Sequence, residues 1–313
     1  MASKHIAAID MGTNSFHLVI VQVKENGTFK VVDREREVIR LGSSEGKDLS
    51  FISAEEMNKA IIIMRRFKKL AEYYKAKVQA VATSAVREAR NGDDFIRSVK
   101  DLTSVKVEII NGKNEAELIF SGVNKALAIS DKRTLCIDIG GGSTEIILGK
   151  NGKSEFAESV KIGSVRFTKK FFPDYVLTDE SIRECEQCIE QELKSNTGIN
   201  FNKMFELAVG ASGTIQAVSA MINYYRQGKK AKTLNGFLFT KDELLKITDL
   251  VLANKTLQER LKIKGIEEKR ADILPAGLII LRKLFELFKI ENMTISDFAL
   301  REGLILKAIA EDS

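Results

Sequence analysis

Apolar positions along the chain fall into short runs or alternations, separated by stretches with helical spacing, which is the pattern of an α/β protein. HIAAID and FHLVIVQV read as strands on either side of the turn-rich cluster MGTNS. Asn26-Gly27 then closes a hairpin into a third strand, FKVVDRE. A helix follows, because Ser53 and Glu56 form a capping-box pattern and Met57, Ile61, Met64 and Ala71 recur at helical spacing. VQAVATSAV is a strand that runs into a helix near Val86–Ala89. VKVEII is another strand, leading into a helix that starts near Asn114.

The second half repeats this order. TLCIDIGGGSTEIILGKNGKSEFAESVKIG reads strand, turn, strand, Asn151-Gly152 turn, strand, with a helix from about Thr178. A short strand, ELAVGASG, precedes a helix from Thr214. Thr240 and Glu243 cap another helix, Pro275 suits the first turn of a helix or a break, and a last helix covers Leu300–Ala310. IDMGTNSFHLVI lies over IDIGGGSTEIIL without gaps, so Ile9, Asp10, Gly12 and Ser15 match Ile137, Asp138, Gly140 and Ser143. The spacing predicts a duplicated α/β domain with a cleft between the halves. One half takes 1–125 plus 298–313 and the other 126–297.

A length of 313 residues and a 44% hydrophobic content suit two ordinary domains. No apolar run approaches the ~18 residues that cross a bilayer. MASKHIAAIDMG enters a strand pattern at once, without the apolar core of a signal peptide, so a cytoplasmic protein is expected. Three cysteines fit a reducing compartment. Cys136 lies in an apolar strand, and Cys185 and Cys188 read as half-buried thiols on a helix, since His5 and His17 are too few to complete a zinc site. The net charge of +6 is compatible with an anionic partner and decides nothing alone.

The two turns carry the chemistry. Gly140, Gly141 and Gly142 let backbone approach a ligand with no Cβ in the way, and successive N–H groups there can form a nest for an anion. Ser143 and Thr144 add hydroxyls, and Gly12, Thr13, Asn14 and Ser15 offer the same from the first half. Asp10 and Asp138 would repel a polyanion unless a cation intervenes. Mg²⁺ commonly combines one or two carboxylates with waters and phosphate oxygens. Tight hairpins with Gly and Asp explain such turns singly, but less well as a pair. A dinucleotide-binding loop needs a helix next, whereas Gly142 is followed by the alternating STEIILG, and no Walker loop occurs.

AAIDMGTNSFHLVI, ATSAVREA, INGKNEAELIFSGV, CIDIGGGSTEIILG, IGSVRFT, VGASGT, LPAGLIIL and SDFALREGLI together resemble the exopolyphosphatase and guanosine pentaphosphate phosphohydrolase (Ppx/GppA) family, over nearly the whole chain. The resemblance implies duplicated actin-like domains of the Hsp70 and sugar-kinase superfamily. It implies hydrolysis of a terminal phosphoryl group of inorganic polyphosphate or guanosine pentaphosphate, assisted by Mg²⁺ or another divalent cation. It places a general base at Glu115, an arginine at Arg87, and metal carboxylates at Asp138 and Glu145, with Asp10 joining them. Asn114 stands where many members have a second glutamate. The short chain resembles the two-domain type, whose last helix returns to the first domain.

Arg166 lies within the IGSVRFT segment, near Lys161, Lys169 and Lys170. A second basic run covers Lys229, Lys230 and Lys232, and either can guide a polyanion. Gly210, Ser212 and Gly213 sit between a strand and a helix, where backbone amides suit another phosphate or a guanosine moiety. No nucleic-acid or membrane partner is expected, and a homodimer is left open. Two other readings stand beside hydrolysis: an ATP-dependent kinase on the same fold, and a non-catalytic sensor of guanosine penta- or tetraphosphate.

Overall fold

The computed structural model describes residues 4–42, 50–127, 129, 131–195, 198 and 204–312. Elements run β1 (Lys4–Met11), β2 (Ser15–Val23), β3 (Phe29–Val38), α1 (Ala54–Tyr73), β4 (Lys77–Ala82), α2 (Ser84–Glu88), α3 (Gly92–Thr103), β5 (Glu108–Ile109) and α4 (Gly112–Leu127). They continue with β6 (Thr134–Ile139), β7 (Thr144–Lys150), β8 (Lys153–Val160), α5 (Ser164–Phe171), α6 (Asp179–Ser195), β9 (Leu207–Gly210) and α7 (Gly213–Gln227). Then come β10 (Leu238–Thr240), α8 (Lys241–Ala253), α9 (Leu257–Leu261), α10 (Leu274–Phe288), β11 (Asn292–Ile295) and α11 (Leu300–Glu311). Two compact units emerge, Met1–Gly122 with Leu300–Ser313, and Val123–Ala299.

Each unit is built on one mixed sheet. The first has strand order β3-β2-β1-β4-β5 and the second β10-β11-β9-β6-β7-β8. Read from the hairpin side, β8-β7-β6-β9-β11 repeats β3-β2-β1-β4-β5, and β10 adds an antiparallel edge. This is the duplicated actin-like fold. The repeat extends to an irregularity. The β2–β3 pairing slips between Ile20 and Val21, and the β7–β8 pairing slips between Leu148 and Gly149, at aligned positions. A bulge is a retained feature rather than a defect, so one shared by both halves is stronger support for duplication than four identities.

Alternation along the strands sets what each face meets. Ile9, Met11, Phe16, Leu18 and Ile20 are buried with Ala60, Met64 and Phe67 of α1 and with Phe95 and Val99 of α3. The opposite face of β1 carries Asp10, next to His17 of β2 and, beyond it, Arg36 of β3. On this side Arg301 of α11 reaches His17, and Arg34 of β3 reaches the buried Glu302. Gly303 lets α11 pack against the Leu118 backbone of α4, since an added Cβ would collide with that carbonyl. The second unit has its own core of Ile137, Ile139, Ile146, Phe167, Ile215, Leu278 and Phe285.

Both capping boxes form as the sequence predicts, at Ser53 with Glu56 and at Thr240 with Glu243. Pro275 lies in the first turn of α10, where its missing N–H costs nothing. Cys136 and Cys185 are fully buried and Cys188 partly so. Burial pushes the Cys185 thiol far above its ordinary range. The predicted strand VKVEII pairs only through Glu108 and Ile109, because it is the sheet edge and meets β4 alone. Among the described residues no helix is long and apolar enough to cross a membrane.

Candidate active site

In the first unit β1, β4 and β5 are parallel, so their C-terminal ends lie along one sheet edge. The chain segments leaving them are stitched together. Thr83 N–H donates to Met11 O at 3.3 Å, and Ile110 N–H donates to Ala82 O at 3.1 Å. Ligands bind at such edges in open α/β sheets. The three segments carry Asp10–Ser15, Ser84–Glu88 and Asn111–Glu115.

Glu115 sits in the first turn of α4. Asn111 anchors that turn: its carbonyl accepts from Glu115 N–H, and its side chain accepts from Asn114 N–H. Arg87 comes from α2, directly after β4. Its Nη1 donates to Glu115 Oε2 at 2.9 Å and to Ile110 O at 2.9 Å. Glu115 is 6% exposed and Arg87 is half-buried. A carboxylate held by a guanidinium and fixed at a helix start has one orientation, which is what a group that positions a water needs.

The first turn, Gly12–Ser15, is as buried as its neighbours. Gly12 is kept small because a Cβ there would lie 3.1 Å from Ser15 O. Asn14 O accepts from the N–H groups of Ile39 and Arg40 at 3.0 and 3.1 Å. Its side chain is different. Asn14 is 6% exposed, yet neither Oδ1 nor Nδ2 has a hydrogen-bond partner among the described residues. Buried amides left this way are rare and costly, and they mark places where a water, an ion or a ligand supplies the contacts. Ser15 Oγ lies 2.8 Å from His17 Nε2, and Arg301 Nη1 lies 3.3 Å from His17 Nδ1.

The second turn, Gly140–Thr144, is clamped from below by the start of α5. Gly140 O accepts from Ser164 N–H at 2.9 Å, and Gly141 O from the N–H groups of Val165 and Arg166 at 2.9 and 3.0 Å. Gly142 O accepts from Arg166 Nε at 2.7 Å. With three carbonyls tied to one side, the N–H groups of Gly141 and Gly142 have no backbone acceptor among the described residues. That is the donor arrangement of an anion nest. Thr144 spends its hydroxyl on Ile162 O at 2.7 Å and is fully buried, so it holds the turn in shape. Glu145 is 1% exposed, and its Oε1 accepts from Ser143 Oγ at 2.8 Å and from Ser159 Oγ at 2.7 Å. Asp138 faces Glu145 across the β6–β7 pair.

Parallel β6, β9 and β11 end along one edge in the same way, with Ala211 N–H donating to Ile137 O and Ser296 N–H to Gly210 O. Ser212 caps α7, its Oγ accepting from Ile215 N–H at 3.0 Å. Gly213 has no Cβ because the Arg270 guanidinium packs where one would stand. A cation over a helix N-terminus favours an anion there. No local pattern marks Arg270, α5 or Arg301, whereas His17 and Ser159 fall on the predicted strands beside the turns.

The fit of a divalent cation can be judged from the donors. No group of three His, Cys, Asp or Glu side chains gathers in one place among the described residues. A cation here would therefore depend on one or two carboxylates with water and phosphate oxygens, which is how Mg²⁺ is commonly bound. Asp138 fits that role in the second turn and Asp10 in the first. Glu145 is engaged by two serine hydroxyls.

The family model described as the Ppx/GppA phosphatase family matches residues 19–311. The chain belongs to the Ppx/GppA phosphatase family. It is an enzyme, a phosphatase. A Haemophilus influenzae protein provisionally named an exopolyphosphatase is 33% identical over 307 residues, covering 96% of this chain and 90% of its own. A Photobacterium profundum guanosine-5'-triphosphate,3'-diphosphate pyrophosphatase is 33% identical over 310 residues. That match covers 97% of this chain and 59% of that protein. Among solved Ppx/GppA structures, a Cytophaga hutchinsonii exopolyphosphatase superposes with a TM-score of 0.89 at 27% identity, over 98% of both chains. The Aquifex aeolicus member gives 0.81 at 27% identity over 99% of both.

Proposed function

We propose that this phosphatase releases terminal orthophosphate from inorganic polyphosphate or guanosine pentaphosphate by attack of water, with Glu115 as general base. The observation that carries the reading is the Arg87–Glu115 pair at the C-terminal ends of β4 and β5. A kinase would use such a carboxylate on an acceptor alcohol and a hydrolase on water, and the relatives named as an exopolyphosphatase and a pyrophosphatase favour water. Relatives of this chain named for polyphosphate and for a guanosine phosphate support the substrate class.

Phosphoryl transfer needs positioning and charge compensation more than covalent chemistry. Glu115 orients the attacking water and accepts its proton, and Arg87 fixes the carboxylate while adding positive charge beside it. Each turn offers donors to phosphate oxygens within its own unit, the Asn14 amide and the Ser15 hydroxyl in the first and the Gly141 and Gly142 N–H groups in the second. Asp138 in the second turn, and Asp10 in the first, are the carboxylates that would hold a divalent cation, which when bound would neutralise phosphate charge. The start of α7 at Ser212 and Gly213, with the Arg270 guanidinium packed against it, takes a further phosphate of the chain or nucleotide.

The test is orthophosphate release with no acceptor alcohol, from polyphosphate of varied length and from guanosine pentaphosphate side by side. The reading predicts release from chain ends, abolished by a chelator and restored by Mg²⁺. Turnover that appears only when an acceptor is added would establish a kinase, and tight nucleotide binding without turnover would establish a sensor.

A further inference from the structure

The aligned serines Ser15 and Ser143 have different neighbours two residues on. Residues i and i+2 of a strand share a face, so Ser15 meets His17 and Ser143 meets Glu145. The consequence lies in which atom of each hydroxyl is committed.

Arg301 fixes the first case. A guanidinium only donates, so His17 Nδ1, 3.3 Å from Arg301 Nη1, must be the unprotonated, accepting nitrogen. The proton of the neutral ring then sits on Nε2, which donates to Ser15 Oγ at 2.8 Å. Ser15 accepts, and its own proton is left for another acceptor. Glu145 fixes the second case in reverse. An ionised carboxylate only accepts, so Ser143 Oγ donates to Glu145 Oε1, as Ser159 Oγ does. Ser143 then has lone pairs, and no proton, left to offer.

We infer that His17 is a positioning residue, held as the Nε2–H tautomer by Arg301, and that it turns Ser15 into a donor for a phosphate oxygen. Its counterpart Glu145 turns Ser143 into an acceptor, suited to a cation or a water bound to one. The charged groups nearest His17 are Asp10 opposite it on β1, Arg36 opposite it on β3 and Arg301 on α11, with Glu302 of α11 paired to Arg34 of β3. The unpartnered Asn14 amide beside Ser15 marks the same turn as the place where a ligand is missing its contacts. This inference rests on the proposed phosphate chemistry for its purpose, while the tautomer itself does not.

The chain has only two histidines, so ¹⁵N-histidine NMR on the intact protein without substrate reads His17 directly, with His17→Ala giving the assignment. The expected spectrum has a pyrrole-type Nε2 and a pyridine-type Nδ1, and Arg301→Met is expected to mix the tautomers. An Nδ1–H tautomer, or an Arg301→Met spectrum identical to the parent, overturns the assignment. Kinetics supply the second measurement. His17→Gln keeps an amide donor for Ser15 and should leave KM within about threefold. His17→Glu draws the Ser15 proton back and should raise KM roughly 10–100-fold, the size of a hydrogen bond to a charged group, with kcat changed far less. Equal KM effects from both variants overturn the positioning role. A protein with the expected tautomer that releases no phosphate would instead overturn the proposed function alone.

Discussion

The turn at Gly12–Ser15 and the turn at Gly140–Ser143 share their backbone and differ in their support. In each, the first glycine would place a Cβ 3.1 Å from the serine carbonyl, and in each the following hairpin slips register at the aligned residue. Beneath that shared frame, the first serine is backed by His17 and Arg301 and the second by Glu145 and Ser159. The first turn also has arginines on the same sheet face, while the second has its carbonyls clamped by α5. Duplication copied a scaffold, and one side chain two residues past each serine sets the sign of what the turn can hold.

The largest expected effect would show how far either turn acts without the base. Glu115→Gln should lower kcat by roughly 10²–10⁴-fold, the usual worth of a general base, with KM nearly unchanged. Near-normal phosphate release by that variant would remove Glu115 as the general base. Arg87→Ala should follow at a smaller loss, since Glu115 keeps its place in α4 but loses its 2.9 Å partner. An unaltered rate would remove Arg87 from the site.

Packing offers a way to disturb one turn at a time. Gly163→Ala would set a Cβ 2.5 Å from Gly141 O, forcing the second turn and α5 apart. Gly303→Ala would push α11, and Arg301 with it, off the Leu118 backbone. Each should cost about 1–3 kcal/mol in urea unfolding, as overpacking does. The Gly163 variant should raise both KM, through the Gly141 and Gly142 N–H groups, and the half-saturating Mg²⁺ concentration, whereas the Gly303 variant should raise KM alone; identical kinetic profiles would break the contrast. Smallest of all, Lys229→Ala is expected to change KM by less than about twofold, since single exposed charges are screened by salt.

Much of this was legible before the fold. The Asp-Gly turns, the hairpins at Asn26-Gly27 and Asn151-Gly152, and the two capping boxes are local, so adjacent residues specify them. Strand alternation also places Ser15 beside His17 and Ser143 beside Glu145. The α5 helix escaped because its eight residues have no apolar stripe long enough to recognise, and its purpose is to hold the glycine turn. α3 does carry a helical stripe, Phe95, Ile96, Val99 and Leu102, but it lies between two strand patterns and opens with Gly92. Arg301 and Arg270 were not legible at all. They reach their partners from far along the chain, 284 residues in the case of His17, and only tertiary packing brings them there.

The opposite polarity of the two serines is most directly tested by Ser15→Ala and Ser143→Ala, measuring KM for polyphosphate and the half-saturating Mg²⁺ concentration in each. Ser15→Ala should raise KM roughly 10–100-fold with little change in the Mg²⁺ requirement, and Ser143→Ala should do the reverse. Parallel losses of both quantities in both variants would contradict the account.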